Sequence, residues 1–215
     1  MNIYNFLHKK YISNFHLPDA DTIERILNEI VTPELLKLGL KNDKHKYIWG
    51  NEYNENQIKA IIRFTYLEEK GTFLIGSNFK FLPTIDSADK VRYSVDKLHL
   101  FEDITYFNSD NKVSHWNENF FAVTLKKFIK NHSGKIHDYI EYSSCIENNI
   151  ETALRQLKNN ESGNITHDPD PKYVLAFLYA KIGNANKAKE IMEDYLKQND
   201  MSFNFLKLLE KIERL

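Results

Sequence analysis

The run IKAIIRFTYLEEKGTFLIGSNFKFL, residues 58–82, constrains this chain more than any other. Two stretches rich in β-branched and aromatic residues flank a polar break at residues 68–71, which is the pattern of an antiparallel hairpin. Ile62, Phe64 and Tyr66 alternate with Ile61, Arg63 and Thr65, and Phe73, Ile75, Phe79 and Phe81 share a face on the return strand, as a two-residue period requires. Gly71 is expected to supply the positive φ of the turn, with Glu68 and Glu69 as solvated turn acids rather than a catalytic pair.

Neighbouring segments extend the sheet. KYIWGNEY, residues 46–53, predicts a strand before the hairpin. VRYSVDKLHLFEDITYF, residues 91–107, predicts one after it, with its alternation disturbed beyond Lys97 by a bulge or short break.

Helical periodicity brackets this strand-rich region. In LPDADTIERILNEI, Asp19 or Asp21 is placed to cap, and Ile23, Ile26, Leu27 and Ile30 recur on one face. Thr32-Pro33 then predicts a break and fresh helix start, closed at Gly39 in a left-handed conformation. After an NSDNK turn, NENFFAVTLKKFIKNH places Phe121, Leu125, Phe128 and Ile129 on one side and its lysines on another, with HSG expected to end the helix. Ser144 and Glu147 have capping-box spacing, with Ile146, Ile150, Ala153, Leu154 and Leu157 in register behind them. The polar, two-proline segment KNNESGNITHDPDPK reads as a linker.

Beyond that linker, Leu175, Ala176, Tyr179, Gly183 and Ala188 resemble the signature of a tetratricopeptide repeat. The resemblance covers about one repeat, and Tyr195 and Asp200 depart from the small residue and proline of that pattern. One repeat cannot bury its own apolar face. The hairpin is therefore expected to rest on the helix before it and on a last helix within SFNFLKLLEKIERL.

Composition narrows the function. Among 215 residues, 29 basic and 30 acidic side chains are dispersed along the chain, which argues against nucleic acid as the main partner. A single cysteine, Cys145, excludes an internal disulfide and multi-thiolate zinc sites. The expected setting is the cytoplasm, since the N-terminus shows no signal-peptide pattern and no stretch has membrane-spanning length. Glycine-rich phosphate loops and the serine nucleophile elbow are absent from the sequence.

Cys145 lies at an expected helix N-terminus, where a thiolate is favoured, with His137, Asp138 and Glu141 upstream. These residues support an alternative reading as a cysteine-dependent hydrolase or transferase using Cys145 and His137. His132 and His137 are five residues apart, which differs from the i, i+4 spacing of helical zinc ligands; no metal site or cofactor is expected. His99, Glu102 and Asp103 form a further polar cluster in the strand-rich region.

The order of elements, with Leu38-Gly39-Leu40-Lys41 closing a helix and Trp116 preceding the later helices, resembles small bacterial domains known only as a domain of unknown function. That resemblance covers residues 20–160 and implies a helix-covered antiparallel sheet. By analogy it also implies protein binding of the kind found in bacterial conflict systems.

The expectation is an α+β fold: an N-terminal helix and a three- or four-stranded antiparallel sheet within residues 1–160, and a C-terminal helical extension over 161–215 packed on that domain. The expected function is non-catalytic, immunity-like binding of another protein, with Trp49, Tyr66 and Tyr179 as candidate contacts and neither nucleic acid nor membrane as partner.

Overall fold

A computed structural model describes residues 17–42, 47–67, 70–85, 91–103, 113–114, 117–160, 168–198 and 205–215. Trp116, the turn acids Glu68 and Glu69, the NSDNK turn, residues 161–167 of the linker and Asp200 lie outside these residues. The fold is α+β, with an N-terminal helix, an antiparallel sheet and C-terminal helices.

Helix α1 (Ala20–Ile30) is capped by Asp19, whose carboxylate accepts from Thr22 N at 2.8 Å. Helix α2 (Thr32–Lys37) starts anew at Thr32-Pro33, and Gly39 follows it with φ +79°. Both features answer the expected break. Strands β1 (Lys41–Asn42), β2 (Ile48–Gly50), β3 (Ile58–Leu67), β4 (Lys70–Phe79) and β7 (Leu100–Asp103) form the sheet in the order β1-β2-β3-β4-β7, and β8 (Val113–Ser114) pairs with the start of β4. Strands β5 (Thr84–Ile85) and β6 (Val91–Arg92) make a separate two-stranded ribbon.

The strand expected over residues 91–107 is thus divided. Asn78, fully buried, holds the intervening segment by donating to the carbonyls of Ser94 and Lys97 at 3.0 and 2.7 Å. Satisfying that side chain diverts the chain away from strand pairing.

Gly71 also departs from expectation. Its φ is not positive; it lies inside β4, where a Cβ would overlap the Phe64 ring. Its smallness serves close packing rather than the turn.

Helix α3 (Glu118–Tyr142) runs through His132-Ser133-Gly134, where the sequence predicted an end. Phe121, Leu125, Phe128, Ile129, His132 and Ile136 form one buried stripe across that point. Continued burial outweighs the roughly 1 kcal/mol that glycine costs inside a helix.

Two compact units are present. The first comprises residues 1–51, 61–75 and 102–139. Its core is aromatic: Phe73 lies 4.9 Å from Phe64 and 4.5 Å from Phe128, centroid to centroid, and Trp49 is fully buried beside it.

The second unit comprises residues 52–60, 76–101 and 140–215. Helices α4 (Ile146–Asn160), α5 (Pro171–Lys181), α6 (Ala185–Gln198) and α7 (Phe205–Glu213) share a core with Phe79, Phe81, Leu82 and Leu100. Helix α5 is buried on nearly every side, from Tyr173 through Leu178, as an apolar-all-round helix must be. Gly183, φ +81°, turns the chain from α5 into α6. The helical hairpin therefore leans on partners within its own unit.

Helix α4 begins at Ile146, close to the expected start, but its buried face is wider than the apolar pattern. Leu154 is 47% exposed, while Asn149, Thr152 and Gln156 are buried. Asn149 accepts from the Ser77 hydroxyl at 2.8 Å, and Gln156 donates to the Phe101 carbonyl at 2.8 Å. The hydroxyl of Ser144 is engaged in donating to the Glu141 carbonyl at 2.7 Å.

Candidate protein-binding groove

Within the first unit, α1 and α2 face α3 across a groove of about 530 Å³ lined by Glu29, Ile30, Glu34, Lys126, Ile129, Lys130 and Ser133. The Thr32-Pro33 break creates one wall, because it lets Glu29 and Ile30 end one helix while Glu34 begins the next. The other wall is a helical ladder. Lys126, Ile129, Lys130 and Ser133 stand at i, i+3, i+4 and i+7, so they share a side of α3.

Charges on the two walls are treated differently. Glu29 is bonded by Arg25 at 3.1 Å, and Arg25 also pairs with Glu118. Both carboxylates push the Arg25 pKa up. Glu34 is bonded by Lys37 at 2.6 Å. Lys126 and Lys130, both exposed, have no ion-pair partner among the described residues. Val123, 56% exposed, adds an apolar side chain one turn before Lys126 and Lys127.

A second concavity, about 220 Å³, lies in the second unit and is lined by Thr84, Lys97, Asp168, Pro169, Asp170, Tyr173, Tyr195 and Leu208. Its polar groups answer one another. Lys97 meets Asp168 at 3.0 Å, Asp170 caps α5 by accepting from Lys172 N at 2.7 Å, and the Tyr173 hydroxyl donates to the Pro83 carbonyl at 2.7 Å. Burial, then the nearby Asp170 and Asp168, pushes the Tyr195 phenol up. This pocket offers less unsatisfied charge than the groove.

Of the residues that the sequence offered, Trp49, Tyr66 and His137 belong to the first unit and Tyr179 and Cys145 to the second. Trp49 is fully buried, its indole donating to Thr32 Oγ1 at 2.9 Å. Tyr66 is 41% exposed and stacks on Phe64 at 6.1 Å. Tyr179 is partly buried against the helical core of the second unit. His137 is exposed, with Nδ1 4.0 Å from Asp138 and a place in the first unit. Cys145 is half-buried in the second unit, and its carbonyl accepts from Asn149 at 2.7 Å.

Histidines 99 and 132 are both interior. His99 accepts from Phe79 N at 2.9 Å through Nδ1, and burial, then Lys97, lowers its pKa to about 3. His132 packs 4.6 Å from Phe128, and burial, then Lys135, lowers its pKa. Among the described residues no group of three or more His, Cys, Asp or Glu is arranged to hold a metal ion, and no helix is long and apolar enough to cross a membrane.

In the sequence the lysines of α3 fall on a side of the helix apart from its apolar stripe, and nothing local distinguishes Lys126 and Lys130 among them. Their spacing was visible; the facing wall, supplied by residues about a hundred positions earlier, was not. No family model, curated protein or solved structure matches this chain.

Proposed function

We propose that the protein is a non-catalytic, immunity-like binder of another protein, acting in the cytoplasm, and that the groove between α1–α2 and α3 is its contact surface. The observation carrying this reading is the groove itself: half-buried Ile30 and the edge of the otherwise buried Ile129, with Glu29 and Glu34 on one wall and, on the other, Lys126 and Lys130, which make no ion pair among the described residues. Grooves between helices that pair apolar anchors with charged rims are a recurrent mode of helix recognition. Tyr179 and the rest of the tetratricopeptide-like hairpin serve in this reading as structural support.

A photo-crosslinking residue placed at position 130 tests the proposal, with position 187 on α6 as control. The expected result is one dominant protein adduct in the native cell from position 130 and not from 187, re-formed at one-to-one stoichiometry from the purified partners. Equal labelling from both positions, or no adduct, overturns it.

A further inference from the structure

We infer that the partner presents an acidic amphipathic helix to this groove, an inference that rests on the protein-binding reading above and names the chemistry of the ligand. Three observations on the two walls converge. First, the carboxylates of the acidic wall are engaged from their own side, Glu29 by Arg25, which it shares with Glu118, and Glu34 by Lys37. A basic ligand would compete with Arg25 and Lys37 for those carboxylates.

Second, the α3 wall holds Lys126 and Lys130 without a partner among the described residues, while Lys127 lies beside them and Lys135 further along. Carboxylates of a ligand would meet ammonium groups with no bond to break. Charge of this kind steers encounter and selects partners more than it adds affinity.

Third, the apolar lining, half-buried Ile30 and the small exposed edge of Ile129, is too small for a broad hydrophobic interface and suited to one aliphatic anchor or two. The lining of α3 from Lys126 to Ser133 spans seven residues of rise, about 10 Å, which matches roughly two turns of a docked helix. Such a helix would place Leu or Ile at i and i+4 against the isoleucines and Asp or Glu beside them toward Lys126 and Lys130. A nucleic acid would find the same lysines, but it has no use for the aliphatic strip, and the chain carries a formal net charge of −1.

The test uses the full chain and a dye-labelled helical peptide carrying Leu at i and i+4 flanked by Glu, with a counterpart in which Lys replaces each Glu. Fluorescence anisotropy should show binding of the Glu peptide that weakens with salt and falls at least tenfold in the K126E/K130E protein, checked for fold by circular dichroism. The Lys peptide should bind that reversed protein better than it binds the original. Equal binding of both peptides to the original protein, or no binding of the Glu peptide, overturns the inference.

The two levels separate cleanly. If the crosslink at position 130 captures a partner while the Glu peptide fails, the groove remains a protein-binding surface and only the acidic helix is wrong. A labelled single-stranded oligonucleotide that binds in place of the peptide, and is lost on the same charge reversal, overturns both.

Discussion

The indole of Trp49 donates a hydrogen bond to the hydroxyl of Thr32 at 2.9 Å, tying strand β2 to the first residue of helix α2. Trp49 is fully buried, so its N–H has no water to turn to. The Thr32 hydroxyl donates in turn to the Asn28 side chain at 3.2 Å, joining the ends of both helices on one wall of the groove. Thr32→Val keeps the shape and removes the acceptor. It should destabilise the protein by about 1–3 kcal/mol in urea unfolding, the cost of a stranded buried donor, while Thr32→Ser should recover most of the loss.

Three glycines separate three kinds of constraint. At Gly71 a Cβ would strike the Phe64 ring, a side chain with some room to yield, so Gly71→Ala should cost about 1–2 kcal/mol and less in the presence of Phe64→Leu. At Gly76 the obstacle includes the Leu100 carbonyl, which is backbone, and the cost should reach about 3 kcal/mol without rescue. Gly39 has open space but φ +79°, so Gly39→Ala should cost about 1 kcal/mol. Thermal denaturation of the three variants gives the ranking.

Asn149 closes a buried polar junction, donating to the carbonyls of Ser143 and Cys145 at 2.7 Å each and accepting from Ser77. Asn149→Leu should be more damaging than the exposed apolar-to-polar change Leu154→Gln. About 2–3 kcal/mol is expected for the former and under about 0.5 kcal/mol for the latter, measured by chemical unfolding. Comparable losses at both positions would contradict the assignment of the buried face.

His99 predicts a pH dependence. Its folded value, about 3, lies below the ordinary 6.5. Above pH 6.5 the ring is neutral whether the chain is folded or not, so stability is fully present. Below that value the unfolded chain binds the proton first, and stability should fall by about 1.4 kcal/mol per pH unit toward pH 3. His99→Asn keeps an acceptor for Phe79 N and removes the titration. Unfolding free energies from pH 7 to pH 4 should show a shallower slope in the variant.

What the sequence determined by itself was carried by short-range periodicity and local chemistry, wherever no distant partner overrode them. An acidic cap at Asp19 or Asp21, of which the structure uses Asp19, the Thr32-Pro33 restart, strands β3 and β4, and the α5–α6 turn at Gly183 follow from side chains within a few residues of one another. Tertiary structure decided what depends on distant partners. It carried α3 through Gly134 because Ile136 had a core to enter, and it made Gly71 a neighbour of Phe64. It also buried Asn149 and Gln156 because Ser77 and the Phe101 carbonyl could bond them. The groove belongs to this second class. Lys126 and Lys130 form a stripe in any helix, but only packing of α1 and α2 opposite them creates a concave surface, because burial and charge pairing are set by neighbours in space.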